Sequence, residues 1–151
     1  MKGDTRILAF AAGGWPLFSP IAQVERVVEE LHVVPLPFAA AGLVGLLDDE
    51  DGTVPLYDLD PFSSGQPAKL RVQEFGLAAI VLSPAGRLAV RLDRLVGLPS
   101  SSMPLPGGQS AVAELPERLR PCITGVAVVE GLLAFEFSAE LFAGLVAQGS
   151  S

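Results

Sequence analysis

The chain has 151 residues, 50% of them hydrophobic, with a mean hydropathy of +0.47, a formal net charge of −7 and a pI near 4.6. That length predicts one domain, spanning 1–151 with its core over about 6–147, large enough to bury roughly 70% of the surface that its unfolded chain exposes. No uninterrupted run approaches the ~20 apolar residues of a membrane-spanning helix. The acidic balance and the scattering of ten basic residues exclude a nucleic-acid or anionic-membrane binder, and the single cysteine, Cys122, excludes an internal disulfide.

Ile7 to Phe10 and Trp15 to Phe18 are short apolar runs joined by Ala-Ala-Gly-Gly, which predicts a strand, a turn and a strand. Asp4 and the shortness of the first run argue against a secretory leader. Ser19-Pro20 has the form of a helix N-cap followed by proline at the first helical position. Ile21, Val24, Val27, Val28 and Leu31 follow at helical spacing, with Gln23, Glu25, Arg26, Glu29 and Glu30 between them, so a helix is expected that ends by Val34, before Pro35.

From Leu43 onward the pattern becomes short apolar runs punctuated by Gly and Pro, as in all-β barrels and sandwiches. The expected strands are Leu43–Leu47, Thr53–Tyr57, Leu70–Phe75, Ala78–Leu82, Leu88–Leu92, Ile123–Val129 and Leu132–Phe137. Ser83-Pro84-Ala85-Gly86 and Glu130-Gly131 are hairpin signals. The acidic stretch Asp48, Asp49, Glu50, Asp51 before Gly52 is expected to form an exposed turn, since four carboxylates cannot enter a core together. Phe62 to Ala68 and Leu98 to Gly108 read as loops. Ser138 is expected to cap a closing helix whose apolar face is Leu141, Phe142, Leu145 and Val146.

Catalytic chemistry lacks its parts. The acidic stretch fails as an EF-hand, because Leu47 would be the first ligand and Asp58 the last. His32 and Cys122 lie ninety positions apart, and a lone Cys in a strand is expected to be a small hydrophobe. Of the three candidates for a general acid and base pair, Asp58, Asp60 and Asp93, the first two sit where a strand runs into a proline turn and are expected to cap or to make turns instead. No Gly-x-Ser-x-Gly, Walker, HExxH or dinucleotide-binding fingerprint occurs. No catalytic residue, metal ligand or cofactor is therefore assigned. Trp15, the single tryptophan, suits either a core or an interface anchor.

The segment Val34 to Leu59, VPLPFAAAGLVGLLDDEDGTVPLYDL, resembles the signature of CheW-like domains, the adaptors of bacterial chemosensory arrays. That family usually shows a Pro-x-Pro lead-in, Gly-Val-Ile-Asn-Leu-Arg-Gly, and then a strand of the form Val-Pro-Val-Val-Asp-Leu. Pro35, Pro37, Gly45, Leu46, Leu47, Val54, Pro55, Leu56, Tyr57, Asp58 and Leu59 match in register, whereas Glu50-Asp51 stand where the family commonly has Arg-Gly. Gly86 to Gly97 is similar to the family's second signature, an apolar strand leading into Val-Asp-x-Val-x-Gly. Ile123 to Ala127 with Gly131 to Leu133 and a closing helix is similar to its last hairpin.

The resemblance implies a mainly β fold of two small five-stranded β-barrels packed together, with a short helix in the N-terminal half and a C-terminal helix. It further implies a cytoplasmic, non-enzymatic scaffold of chemotaxis and two-component signalling, recruited to membrane-associated receptor arrays. Its partners would be the regulatory domain of a CheA-type histidine kinase and a chemoreceptor tip. By position, the kinase would meet Leu43, Leu46, Thr53, Val54 and Leu56, and the receptor would meet residues near Val44, Glu50, Ile80, Leu82 and Val90, with Leu46 nearby. The reversed charge at Glu50-Asp51 implies a different choice of partner. Two other readings stand beside this one: a divergent scaffold of a pilus, gliding or second-messenger pathway, and a small-molecule or cation sensor using the cleft between barrels.

Overall fold

A computed structural model of the chain describes residues 6–29, 32–35, 42–50, 52–59, 77–97, 103–104 and 109–149. The strands expected over Ile7–Phe10 and Trp15–Phe18 form an antiparallel hairpin, β1 (Ile7–Ala12) and β2 (Trp15–Pro20). A single 3-10 turn, Ile21–Gln23, then carries the chain into β3 (Val24–Val28). There follow β4 (Val33–Pro35), β5 (Leu43–Asp49), β6 (Gly52–Tyr57), β7 (Leu77–Ser83), β8 (Gly86–Leu92), β9 (Arg94–Gly97) and β10 (Met103–Pro104). A short helix α1 (Gln109–Val112), a 3-10 turn (Arg120–Cys122), β11 (Ile123–Val129), β12 (Leu132–Phe137) and helix α2 (Ala139–Gly149) complete the described chain.

The mainly β architecture is the expected one, with six strands per sheet among the described residues rather than five. One sheet has the order β10-β11-β12-β2-β1-β9 and the other β3-β7-β8-β6-β5-β4. Each is assembled in the same way: two antiparallel hairpins joined by a short parallel pairing, β12 beside β2 in the first and β6 beside β8 in the second. The chain crosses between sheets after β2 and again at Asp93. There the Asp93 N–H donates to the Ala11 carbonyl at 2.7 Å, and its Oδ2 accepts from the Gly14 N–H at 2.9 Å. Asp93 thus fastens the crossing strand to the β1–β2 hairpin.

The helix expected from Ile21 is a strand instead. The β3–β7 register shifts between Val24 and Arg26, and a bulge of this kind inserts one extra residue into the strand. Across it Val24 and Val27, three apart, both pack on the same core, so a bulged strand reproduces the spacing of a helical face. The run of β-branched valines suits the strand, and its pairing with β7 overrides the weak local preference. The expected strand Leu70–Phe75 and loop Phe62 to Ala68 lie outside the described residues. Within the stretch read as a loop, Leu98 to Gly108, Met103–Pro104 pairs with β11 as β10.

The two hairpin signals and the closing helix are as expected. Ser83 pairs with Gly86 across the Pro-Ala turn. Glu130 and Gly131, both at positive φ (50° and 81°), form the two-residue turn that matches the twist of β11 and β12. Ser138 caps α2, its Oγ accepting the Leu141 N–H at 3.2 Å. Phe142 is buried, while Leu141, assigned to the same apolar face, is exposed.

Three cores among the described residues take up much of the excess of apolar residues. Leu8, Phe10 and Leu17 of the first sheet meet Ala79, Val81, Leu88 and Val90 of the second in a large shared core, completed by Phe135, Phe137 and Phe142. The other face of the first sheet buries Ile7, Ala9, Phe18, Ala127, Val129 and Ala134. The other face of the second buries Leu47, Val54, Leu56, Ala78, Ile80 and Ala89. Strands covered on both faces read as continuous apolar runs, which is why Ile7–Phe10 and Ala78–Val81 show no alternation of polar and apolar residues.

Candidate functional site

The β5–β6 hairpin, with β4 on its flank, is where chemistry and exposed surface meet. Its register sorts side chains to two sides. Leu47, Val54 and Leu56 point into the second sheet's own core, with Val33 and Val44 packed against it. Leu46 pairs with Val34 on one side and with Pro55 on the other, so these three stand in one row on the opposite, outward face. In the next row Asp48 pairs with Thr53, and its N–H donates to the His32 carbonyl at 2.7 Å. Val34 is 55% exposed, Leu46 half-buried, and His32, Asp48 and Thr53 exposed.

The acidic turn is not uniformly solvated. Asp49 shares the inward face with Leu47, and its side chain is only 7% exposed. Arg26 Nη2 donates to its Oδ1, and Arg87 Nη2 donates to its Oδ2 at 2.8 Å. Arg87 also donates through Nε and Nη2 to Glu25 Oε2, at 3.0 and 2.6 Å. Hydrogen bonds from the two guanidinium groups hold the Asp49 carboxyl well below the usual carboxylate range, and Glu25 and Asp49 push the Arg87 guanidinium further up. Glu50, by contrast, is 90% exposed and reaches only to 3.9 Å from Arg26. The expectation that Asp48 to Asp51 form an exposed turn thus holds for Glu50; Asp48 is exposed but belongs to strand β5, Asp49 is in the same strand and faces inward, and Asp51 lies outside the described residues.

A second ion pair lies further along the same strand. Arg87, Ala89 and Arg91 share one face of β8, and Ala89 lies in the second sheet's own core. Arg91 Nη1 lies 3.7 Å from Oδ2 of Asp58, whose N–H donates to the Gly42 carbonyl at 2.7 Å. Asp58 is buried and pairs with Arg91; Asp60 lies outside the described residues. Carboxylate–arginine clusters therefore sit at Arg87 and at Arg91, on either side of the Ala89 position. The two glutamate and aspartate partners of Arg87 come from β3 and β5, so the cluster ties three strands that are not all neighbours.

The residues assigned to a kinase surface divide by burial. Leu43 and Leu46 are half-buried and Thr53 is exposed, whereas Val54 and Leu56 lie in the core. Those assigned to a receptor surface scatter. Glu50 and Leu82 are exposed, Val44 is half-buried, and Ile80 and Val90 are buried in two different cores, on opposite faces of their sheet. The side chains of Ile80 and Val90 are enclosed within the packed interior. Tyr57 turns to the shared core, its ring edge-on to Phe142 with centroids 5.3 Å apart. Trp15 is half-buried against the shared core, edge-on to Phe135 at 6.2 Å.

Sequence reasoning missed Arg26, Arg87 and Val34. The usable signal was the pair Arg87 and Arg91, spaced by four in a strand and therefore on one face. Cys122 is fully buried, and desolvation pushes its thiol up to about 12, so it keeps its proton while His32 stands exposed beside β4. An open groove of about 540 Å³ lies between the β7–β8 turn and α2, lined by small and apolar residues such as Pro84, Ala143 and Gly144, with Glu140 at its edge. No helix among the described residues is long and apolar enough to cross a membrane.

The sequence matches no family model and no curated protein. Among solved structures, the fold is similar to that of the scaffolding protein TtCheW from Thermoanaerobacter tengcongensis, with a TM-score of 0.70, 16% sequence identity and 93% of each chain covered. With two such sheets packed through one shared core and this overlap across nearly the whole length, the chain has a CheW-like fold.

Proposed function

We propose that this protein is a non-enzymatic adaptor that couples a chemoreceptor to the regulatory domain of a CheA-type histidine kinase, from the cytoplasm. The observation that carries the reading is the fold shared with a scaffolding protein over 93% of both chains. The outward face of β4, β5 and β6 supports it, because Val34, Leu46 and Pro55 form an apolar row at the end of a sheet, with Thr53 beside it. A row of this kind gives a partner both side chains to cover and a strand edge to approach. The kinase would meet Leu43, Leu46 and Thr53, with Val54 and Leu56 holding the strands in register from within. Glu50, Leu82 and Val44 would belong to the receptor-facing side.

Calorimetric titration with purified kinase regulatory domains and receptor-tip fragments from the same genome tests the proposal. A complex of micromolar or tighter affinity with at least one kinase domain is expected. Absence of heat and of complex with every candidate kinase would overturn it.

A further inference from the structure

The outward face of β4, β5 and β6 has an order that sets the chemistry of whatever covers it. Its first row, Val34, Leu46 and Pro55, is apolar; its second, His32, Asp48 and Thr53, is polar and carries a carboxylate; beyond them Glu50 projects from the turn. The nearest cations do not neutralise this rim. Arg26 and Arg87 are turned to the inward face, where they share Asp49. Glu50 has only the 3.9 Å approach of Arg26, and among the described residues Asp48 has no cation within salt-bridge distance. The inward cluster thus keeps Arg26 and Arg87 engaged with Asp49 and Glu25, and leaves Asp48 and Glu50 as the exposed carboxylates of this hairpin.

We infer that the partner of this face presents an apolar centre flanked by lysine or arginine. The rows lie about 7 Å apart along each strand, so a basic side chain two residues from an apolar one on an opposing strand would reach Asp48 while the apolar one covers Leu46. A second copy of this chain fits poorly. The described residues of the matching face carry no lysine or arginine to meet Asp48 or Glu50, and a net charge of −7 opposes self-association. For the kinase as occupant, the inference rests on the adaptor reading; the basic, apolar character of the occupant follows from the face alone.

Two capped peptides, Lys-Thr-Val-Thr-Lys-Thr and Glu-Thr-Val-Thr-Glu-Thr, each placing an apolar residue between two like charges on one strand face, and the kinase regulatory domain are the probes. Each is titrated into the full chain while backbone amide resonances of β4 to β6 are followed. The basic peptide is expected to shift those resonances, and to bind more weakly as ionic strength rises from ~0.01 M to ~1 M and the Debye length falls from about 30 Å to about 3 Å. Val34→Glu, at an exposed position, is expected to weaken it more than about tenfold, and Asp48→Asn by about two- to fivefold. Glu130→Gln, on a hairpin of the other sheet, is expected to leave it unchanged.

Equal binding of the acidic and basic peptides, or no shift in β4 to β6 with either, overturns the inference. A kinase domain that binds with the same affinity to wild type and Asp48→Asn at both salt concentrations also overturns it while leaving the adaptor reading in place. A basic peptide that behaves as expected beside kinase domains that never bind supports the inference and overturns the adaptor reading.

Discussion

Replacing Phe142 with alanine is expected to weaken the whole molecule, because this one ring joins both sheets. It is fully buried in the first turn of α2, 5.3 Å from Tyr57 of the second sheet at an interplanar angle of 88°, and 5.4 Å from Phe137 of the first at 49°. Truncating a buried Phe removes its transfer free energy and leaves a cavity that close-packed neighbours fill only in part, a loss of about 3–5 kcal/mol. Of this, the edge-on contact with Tyr57 accounts for about 0.5–1.5 kcal/mol, which a double-mutant cycle with Tyr57→Leu isolates. Since a domain has only about 5–15 kcal/mol of net stability, the variant should fold but lie close to its limit. Its melting temperature should fall by roughly 6–20 °C, at about 2–4 °C per kcal/mol for a chain of this size. Urea denaturation followed by far-UV circular dichroism and by Trp15 fluorescence should show one transition by both probes, moved to lower denaturant. A loss below about 1 kcal/mol would refute the reasoning, because it would mean that the ring is not enclosed by both sheets.

Three further outcomes are expected. Cys122 should not react with a thiol reagent such as dithiobis-nitrobenzoate at pH 8 in the native protein and should react fully in urea, since its thiol is pushed up to about 12 by burial; rapid native labelling would contradict its enclosure. Asp49→Asn should be less stable than wild type at pH 7. The gap should close as pH falls below the ordinary carboxylate value of 3.8, because the unfolded chain then takes up a proton that the folded Asp49 still refuses; a gap independent of pH from 7 to 2, read by urea titration, would contradict the double arginine contact. Glu50→Arg with Asp51→Gly should change stability by no more than about 0.5 kcal/mol, yet alter affinity for the kinase and receptor fragments in a salt-dependent way, and identical affinities at both salt concentrations would make the turn irrelevant to partner choice.

Much of this protein is local and therefore legible. The strands over Ile7–Phe10, Ala78–Leu82 and Ile123–Val129, the Ser83–Gly86 and Glu130-Gly131 turns, and the helix capped by Ser138 depend on residues close in the chain. Their signals are turn chemistry, capping and the length of apolar runs, and each is complete within a few positions. The three segments resembling CheW-like signatures belong to the same class, and the fold they implied is the fold observed.

Tertiary structure decided the rest, through pairings that no local window contains. Val24–Val28 is a strand because β7, more than fifty residues later, pairs with it across a bulge, and the bulge turns a period of two into a spacing of three that looks helical. Asp49 faces inward because Arg26 and Arg87, 23 and 38 positions away, converge on it; in the sequence alone it is one of four equivalent carboxylates. Ile80 and Val90 belong to cores rather than to a surface because both faces of their sheet are covered, and a continuous apolar run does not say which face, if either, is left open. Composition and periodicity specify where a strand forms, whereas the side on which each residue stands depends on a register set by distant partners.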